Sequence, residues 1–255
     1  MPAFWQPYRR RNLPLMPSGL SLPLAVMVAV LMVCVVAGHS RMARAQTDGC
    51  GPVQTPATTL EFIKMDPMLD RHRSVRWLNS RAGGSARYLV TGLTEYEMRA
   101  SFNMRLMPRD VGFGRYCLTP ITVNPRVEVI KHLVYVASEL ERGSCEYNVV
   151  YAHEGEHVKI NQGMEADIQA SLDDMVGDIT RKLAAMPPMS GENVARSIKR
   201  LLAEYGRDFK RRLKDIDRNR REDHKRIDTP EEYTKLSLAC GPNSAFQTVL
   251  PQAAR

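Results

Sequence analysis

Two stretches in the C-terminal half of the chain place an apolar residue at every third or fourth position. The first runs from Val149 to Leu183 and the second from Ile198 to Ile216. This spacing puts the apolar side chains on one face of an α-helix. The segment between the stretches contains Pro187 and Pro188. The pattern therefore predicts two long amphipathic helices that a short joint folds into an antiparallel hairpin.

The segment before these helices has shorter apolar runs, several of them with the alternation typical of β-strands. The predicted elements are a strand at 86–91 that ends at Gly92, a helix at 94–105, a loop at 109–115, and strands at 116–123 and 126–137 that meet near Asn124 and Pro125. We therefore predict an α+β fold in which a small antiparallel β-sheet region precedes the long antiparallel helical hairpin.

The first 45 residues have the three-part pattern of a secretory signal. Arginines at 9–11 precede an apolar run from Leu20 to Gly38, and residues 43–45 (Ala-Arg-Ala) offer a cleavage site. The alternative is an uncleaved inner-membrane anchor, because the apolar run is long for a signal and slightly short for a span. We expect an exported bacterial protein, periplasmic or secreted, that contacts the membrane only through this segment if it is not cleaved.

Removal of that segment changes the charge of the chain. Its five arginines, with no acidic residue, account for five of the formal net charge of +8 and leave +3. The basic stretch from Lys199 to Arg226 also contains six acidic residues. Interleaved charges of this kind are typical of a solvated helix face, and a charge of +3 is not typical of a nucleic-acid-binding protein. We expect no nucleic-acid partner.

Four cysteines follow the predicted signal, at positions 50, 117, 145 and 240. An even number in an exported domain predicts two disulfide bonds. Three connectivities are possible. We favour Cys50–Cys240, which would tie the termini together, and Cys117–Cys145, which would tie a strand to the first long helix. The chain after the signal has no C-x-x-C pair, which argues against a structural zinc cluster.

The first long helix contains the sequence His153-Glu154-Gly155-Glu156-His157. Histidines four residues apart lie on one face of a helix, where both imidazoles can bind one metal ion. Glu154 can reach a metal-bound water without being a ligand and can act as the general base. The alternative is a helix whose histidines only satisfy buried carbonyl groups. The motif predicts a hydrolytic Zn²⁺ site in a zincin-like fold.

A catalytic zinc ion usually has three protein ligands, so the third must come from outside this motif. The extended pattern H-E-x-x-H-x-x-G-x-x-H would need Gly at 160 and His at 163, and the chain has neither. A helical hairpin with its midpoint near 188.5 instead places His224 opposite His153. We predict His224 as the third ligand and Glu222 as the reserve, with a solvated surface histidine as the alternative.

The stretch from Tyr88 to Met98 resembles the beginning of a family of exported bacterial proteins known as predicted secreted zinc-dependent proteases. In that family a tyrosine and a glycine are followed by a cysteine, by H-E-x-x-H, and by a segment with an aspartate and a histidine. The corresponding residues are Tyr88, Gly92, Cys117, the His153–His157 motif, Asp217 and His224. The resemblance covers about residues 85–235. It implies a zinc peptidase that acts on a protein or peptide substrate.

We predict that the chain consists of four segments. They are the signal at 1–45, an irregular N-terminal arm at 46–84, a zincin-like metallohydrolase domain at 85–240 and a C-terminal tail at 241–255. Hydrolysis of an amide bond also needs a hydrogen-bond donor for the oxyanion, and the candidates by residue type are Tyr151, Tyr205 and Tyr233. The alternatives to a peptidase are a non-catalytic zinc-binding envelope protein and a cell-wall amide hydrolase.

Overall fold

A computed structural model describes residues 49–82, 89–248 and 250–253. The predicted signal at 1–45 and the first half of the predicted strand at 86–91 lie outside these residues. Residues 89–91 are described and are not part of a strand, because the strand there begins at Gly92, where we expected it to end. Within the described ranges, no helix is both long enough and apolar enough to cross a lipid bilayer.

Short strands and one long hairpin come first along the chain, and helices follow. The first part comprises β1 (Ala57–Thr58), β2 (Glu61–Ile63), β3 (Met68–Asp70), α1 (Val75–Arg81), β4 (Gly92–Asp110) and β5 (Arg115–Val136). The second part comprises α2 (Cys145–Gln162), α3 (Met164–Ala185), β6 (Met189–Ser190), α4 (Gly191–Ile227), α5 (Pro230–Leu238), α6 (Ala245–Thr248) and α7 (Leu250–Ala253). This order agrees with the predicted α+β class.

Strand β5 is the centre of the sheet, because every other strand in the described part of the chain pairs with it. Strand β4 runs antiparallel to β5 along one edge. On the other edge β1, β2 and β3 pair in parallel with β5, and β6 pairs antiparallel with its beginning. The sheet is therefore mixed, whereas we expected an antiparallel one. The parallel strands come from the segment that was predicted as an irregular arm.

Strand β4 occupies the segment 94–105, for which the sequence predicts a helix. The apolar residues that suggested helical spacing are Tyr96, Met98, Phe102 and Met104, and all of them also fit a period of two. In the structure they pack on the apolar core, while the residues between them are mostly exposed. The helix prediction was wrong because a four-residue interval belongs to both periods, and the two-residue intervals decide between them.

Strand β5 continues through Asn124 and Pro125, where we expected two strands to meet. The carbonyl of Val123 accepts a hydrogen bond from the backbone N–H of Thr59 at 3.2 Å. The backbone nitrogen of Pro125, two residues on, points to the same edge. Pairing with β1 ends at Val123 and pairing with β2 begins at Arg126. Pro125 therefore lies between two partner strands, where its missing N–H breaks no ladder hydrogen bond.

The helical hairpin packs its apolar stripe on one face of the sheet. The first predicted helix is divided at Gly163 into α2 and α3, and the second is the single helix α4. On the outer face of α4, basic and acidic side chains pair within the helix; Arg218 Nη2, for example, lies 2.8 Å from Oδ1 of Asp215. The buried residues of this core include Ile168, Leu172, Met175, Ile179, Leu201, Tyr205 and Phe209.

A second apolar cluster joins the two ends of the described chain. It contains Val75 and Leu78 of α1, Val150 of α2, Phe246 of α6 and Leu250 of α7. The segment predicted as an arm thus supplies three strands and a helix, and the segment predicted as a tail supplies two short helices. Both belong to the same compact unit as the predicted domain.

The four cysteines form two disulfide bonds, as predicted, but with a different connectivity. The pairs are Cys50–Cys117 and Cys145–Cys240. Our expectation was wrong because Cys50 lies beside β5 and the end of α3, where its N–H donates to the carbonyl of Met186 at 2.8 Å. The second bond ties the beginning of α2 to the segment that follows α5.

Candidate metal centre

Helix α2 presents both histidines of the H-E-x-x-H motif on one face. The helix begins after Ser144, whose hydroxyl accepts a hydrogen bond from the N–H of Tyr147 at 3.1 Å. The side chains of His153 and His157 are only 8% and 9% exposed, and their ring centroids lie 5.0 Å apart. The four-residue spacing therefore brings the two imidazoles to one place.

Asp228 completes a group of three possible metal ligands. Its Oδ1 lies 3.2 Å from Nε2 of His153 and 3.1 Å from Nε2 of His157. The three ligand atoms all lie within 4.8 Å of one another. Asp228 is the C-cap residue of α4 and directly precedes Thr229, the N-cap residue of α5. The break between these helices therefore positions a carboxylate against the motif, and the group could bind a metal ion.

His224, the predicted third ligand, contacts the other side of His157. Its Nδ1 lies 2.7 Å from Nδ1 of His157, and Nε2 of His157 is the atom that faces Asp228. The helices are displaced by one turn from the predicted register, so that Asp228 rather than His224 is opposite His153. A slide of one turn keeps the same helix faces in contact, and the joint between the helices does not determine it. The reserve ligand, Glu222, forms an ion pair within its own helix, away from this group.

A chain of hydrogen bonds behind His157 orients its imidazole ring. Arg220 donates to Oδ1 of Asn161 at 2.7 Å, and Nε2 of His224 lies 3.1 Å from the same oxygen and must also donate. Burial, together with His157 and Arg220, lowers the pKa of His224 to about 4, so its Nδ1 is unprotonated at neutral pH. Nδ1 of His157 then donates to it, and in a neutral imidazole the remaining lone pair is on Nε2.

That lone pair faces a carboxylate oxygen. Nε2 of His157 and Oδ1 of Asp228 are 3.1 Å apart, and two acceptor atoms at this distance repel each other unless a proton or a metal ion lies between them. Neutral imidazole nitrogens and ionised carboxylates are the donor atoms that divalent metal ions bind. The residues present therefore fit a metal ion.

The charges around the group also favour a cation. Burial disfavours the charged form of Asp228, but the hydrogen bond with His153 and the contact with His157 outweigh burial and hold the pKa of Asp228 well below its usual range. Burial likewise opposes the charged form of His153, whereas Asp228 and Glu154 raise the pKa of His153 above its usual value. The Asp228 carboxylate is therefore ionised at neutral pH and attracts positive charge.

Glu154 lies beside the three ligands and is only 3% exposed. Its Oε2 accepts a hydrogen bond from the hydroxyl of Thr94 at 2.7 Å. A Cβ atom at Gly92 would overlap Oε1 and lie 2.7 Å from Cγ1 of Val150, so only glycine at position 92 leaves room for this carboxylate. Burial raises the pKa of Glu154, although His157 and Thr94 lower it. A carboxylate with a raised pKa is suited to taking up and releasing a proton.

Tyr233 is the one of the three candidate tyrosines that lies at this centre. Its hydroxyl donates a hydrogen bond to Oδ1 of Asp228 at 3.4 Å, and its ring centroid is 6.2 Å from that of His153. Burial and the neighbouring carboxylates raise the pKa of Tyr233, so the phenol stays protonated. Tyr151 is exposed on α2, and Tyr205 is buried in the apolar core.

Two clefts open onto the centre and share Gly92, Glu154 and Tyr233. The charged cleft has a volume of about 570 Å³, and its lining includes Arg81, Glu95, Glu97, Arg220, His224 and Asp228. The second cleft has a volume of about 260 Å³, and its lining combines apolar side chains such as Leu89, Leu236 and Phe246 with uncharged polar ones such as Thr91, Thr234, Ser237 and Gln247. One cleft therefore borders His153, and the other borders His157 and Asp228.

The chain matches no protein-family model, and neither the search of curated proteins nor that of solved structures found a match. The assignment of this site therefore depends on its own donor atoms. They are two imidazole nitrogens and one carboxylate oxygen within 4.8 Å, with the buried Glu154 carboxylate beside them.

Asp228 is the site residue that the sequence analysis missed. Asp228-Thr229-Pro230 carries a readable signal, because a helix seldom continues through the residue before a proline and Thr-Pro is a common helix beginning. That signal marks the end of α4 at Asp228, an acidic residue that lies opposite the H-E-x-x-H motif. Thr94 was also missed. A helix was predicted at this position, and the hydrogen bond from Thr94 to Glu154 depends on the strand β4 that lies beside α2.

Proposed function

We propose that this protein is an exported zinc metallopeptidase in which His153, His157 and Asp228 hold the ion and Glu154 is the general base. The observation that carries the proposal is the convergence of three donor atoms beside a buried carboxylate. Two histidines and one carboxylate are a ligand set of catalytic zinc sites, which keep a further position open. Asp228 replaces His224 as the third ligand.

The residues around the ion have separate tasks in hydrolysis of an amide bond. When bound, zinc supplies the Lewis acidity that polarises a carbonyl oxygen and lowers the pKa of water. Glu154 takes a proton from the attacking water and passes it to the amide nitrogen as the C–N bond breaks. Thr94 occupies Oε2 of Glu154, so Oε1 is the oxygen available for this transfer. The hydroxyl of Tyr233, which donates to Oδ1 of Asp228 at 3.4 Å, would rotate from that oxygen to donate a hydrogen bond to the oxyanion.

In this proposal His224 contacts the ligand His157 and does not bind the metal itself. Its Nδ1 accepts a hydrogen bond from Nδ1–H of His157, so that the lone pair of His157 is on Nε2 and faces the metal. Partners of this kind raise the basicity of a histidine ligand and fix the orientation of its ring. Asn161 and Arg220 hold His224 in turn, so the two long helices meet in a polar network directly behind the ligands.

The proposal of export is supported by the two disulfide bonds. Such bonds form and persist in the periplasm and outside the cell and are rare in the cytosol. They agree with the secretory signal predicted at 1–45.

The test compares wild type with Glu154→Gln in protein recovered from the periplasm or the medium. Zinc content is measured by mass spectrometry, and cleavage is measured on a peptide library and on purified peptidoglycan. We expect about one zinc per chain in both proteins and peptide cleavage in wild type alone. Glu156→Gln is the matched control, because Glu156 lies in the same motif but pairs with Lys159 at the surface, at 2.6 Å.

Other outcomes would identify the alternatives. Equal cleavage by wild type and Glu154→Gln would refute the general-base mechanism. Bound zinc with no cleavage of either substrate would favour a non-catalytic zinc-binding envelope protein. Cleavage of peptidoglycan alone would favour a cell-wall amide hydrolase.

A further inference from the structure

The turn that joins β4 to β5 exposes apolar side chains to water. We call residues 107–115 the β4–β5 tip. The side chain of Phe113 is fully exposed, and those of Val111 and Met107 are 38% and 48% exposed. A Cβ atom added at either glycine that flanks Phe113 would meet no atom within 4 Å. The tip therefore projects beyond the sheet, with its apolar side chains in water.

The backbone of the turn holds Phe113 in this position. Its φ is +53°, which makes it the one residue other than glycine with a positive φ in the described ranges, and bulky side chains rarely adopt this conformation. The N–H of Val111 donates to the carbonyl of Arg115 at 3.0 Å, and the N–H of Arg115 donates to the carbonyl of Gly112 at 3.0 Å. The turn therefore presents an aromatic ring in a defined place, from which transfer out of water is favourable.

The tip is also positively charged. Residues 105–115 contain arginines at 105, 109 and 115, and Asp110 is the one acidic residue among them. Arg109 and Arg115 donate to backbone carbonyls at 3.2 and 2.6 Å. None of the three arginines forms an ion pair with a described residue, whereas the arginines further along these two strands pair with glutamates. Uncompensated positive charge therefore accompanies the exposed apolar side chains.

A bilayer that contains anionic lipids fits this combination better than a folded protein partner does. A stable protein interface buries about 800 Å² on each partner, whereas one aromatic side chain supplies about 150–250 Å². A bilayer sets no such minimum. Single apolar side chains can enter its hydrocarbon boundary, while arginines stay at the level of the head groups and are attracted by their negative charge.

The chain before Cys50 is predicted to tether this end of the protein to a membrane. Cys50 is bonded to Cys117 of β5, and its carbonyl accepts the hydrogen bond from Arg109, so it lies at the base of the tip. The apolar run predicted as a signal or anchor ends at Gly38, 12 residues earlier. A segment of that length spans at most about 40 Å. We therefore expect the base of the tip to stay near a bilayer during export, and permanently if the run is not cleaved.

We propose that the β4–β5 tip binds the surface of bilayers that contain anionic lipids, with the Phe113 ring inserted and the arginines at the level of the phosphates. Gly92, which lies against Glu154, is at the other end of the same strand. Strand β4 has 19 residues, which corresponds to a length of up to about 60 Å. Binding at the tip therefore leaves the candidate metal centre away from the bilayer and does not depend on the proposed peptidase activity.

The first experiment measures cosedimentation of the protein recovered from the periplasm or the medium with lipid vesicles. The vesicles contain phosphatidylcholine alone or equal parts of phosphatidylcholine and phosphatidylglycerol. We expect wild type to bind the anionic vesicles at least about 10-fold more tightly, and added salt to weaken this binding. Phe113→Ser should weaken it by about 10-fold or more, because the ring is no longer buried, and Arg105→Gln by about fivefold. Leu238→Ser is the matched control and should bind like wild type, because Leu238 is 60% exposed but lies on α5.

The second experiment places a fluorescent probe at the tip. Phe113→Trp and Leu238→Trp each add one indole to the same background, because Trp77 is the one tryptophan after the predicted signal. With anionic vesicles, the emission of Phe113→Trp should shift to shorter wavelength and be quenched by brominated lipid, whereas Leu238→Trp should show neither change. This measurement detects insertion of the side chain directly.

Three results bear on the inference. Vesicle binding that Phe113→Ser leaves unchanged, or an emission spectrum of Phe113→Trp that vesicles do not shift, overturns it. Self-association in sedimentation velocity that Phe113→Ser abolishes, without vesicle binding, also overturns it and makes the tip a contact between copies of the chain. Glu154→Gln should bind vesicles like wild type, so the loss of either proposal leaves the other standing.

Discussion

Replacement of Asp228 tests the ligand set most directly. Oδ1 of Asp228 is the atom that lies within 3.2 Å of both imidazole nitrogens. Asp228→Asn removes its charge and replaces a carboxylate with a weak ligand of similar shape. His224→Ala instead removes a group that contacts His157 through the opposite ring nitrogen.

The two variants should differ in magnitude. Loss of an outer partner of a histidine ligand typically weakens metal binding by about 10- to 100-fold, and we expect this for His224→Ala. Loss of one of three ligands should cost more, so Asp228→Asn should weaken zinc binding by more than about 100-fold. Glu222→Ala should stay within about twofold of wild type, because Glu222 is exposed and pairs with Lys225 at 2.8 Å.

The assay is competition for zinc against a chromophoric chelator at pH 7.5, with circular dichroism to verify that each variant is folded. The reasoning is refuted if Asp228→Asn retains wild-type affinity. If His224→Ala weakens zinc binding more than Asp228→Asn does, then His224 is the third ligand. The helix register that places Asp228 opposite His153 would then be wrong.

Three further predictions concern residues around the ligands. Gly92→Ala should abolish peptide cleavage and retain zinc, because the added Cβ would overlap the Glu154 carboxylate. Gly155→Ala is the control and should keep both properties, since no atom outside its helix lies within 4 Å of a Cβ at that position. Zinc content and peptide cleavage are measured for both variants. Tyr233→Phe should lower kcat by about 100-fold with little change in KM, and an unchanged kcat would exclude Tyr233 as the oxyanion donor. The pKa of His224 is about 4 in the folded chain against an ordinary 6.5, so the unfolded chain binds more protons between these values and stability falls as the pH falls through them. Urea denaturation of metal-free protein should show this loss in wild type and a smaller one in His224→Asn.

The sequence predicted the position of the candidate metal site more accurately than it predicted the strands. The H-E-x-x-H motif could be placed on a helix face because its four-residue spacing and the apolar stripe have the same period. The helix predicted at 94–105 failed because Tyr96, Met98, Phe102 and Met104 are compatible with two periods, and the alternation of their neighbours was the signal that distinguishes them. The strands at 57–70 are too short for any periodicity to appear.

The third ligand shows a different limit. Amphipathic stripes determine which helix faces meet, but a slide by one turn brings equivalent residues into contact and leaves the stripes matched. His224 and Asp228 differ by about one turn, so the sequence pattern alone could not choose between them. Disulfide connectivity is limited in a similar way, since it depends on the route that residues 49–70 take along β5.

The position of β5 has a consequence for the order in which the protein folds. Strands β1, β2 and β3 have no sheet partner other than β5 in the described part of the chain, and β5 lies well after them in the sequence. During synthesis or export from the N-terminus, these three segments emerge first and stay unpaired until residues 115–136 arrive. The Cys50–Cys117 bond also requires β5. Premature oxidation, before β5 has emerged, would leave Cys50 without its native partner, so the timing of thiol oxidation relative to emergence of β5 governs the yield of correctly folded protein.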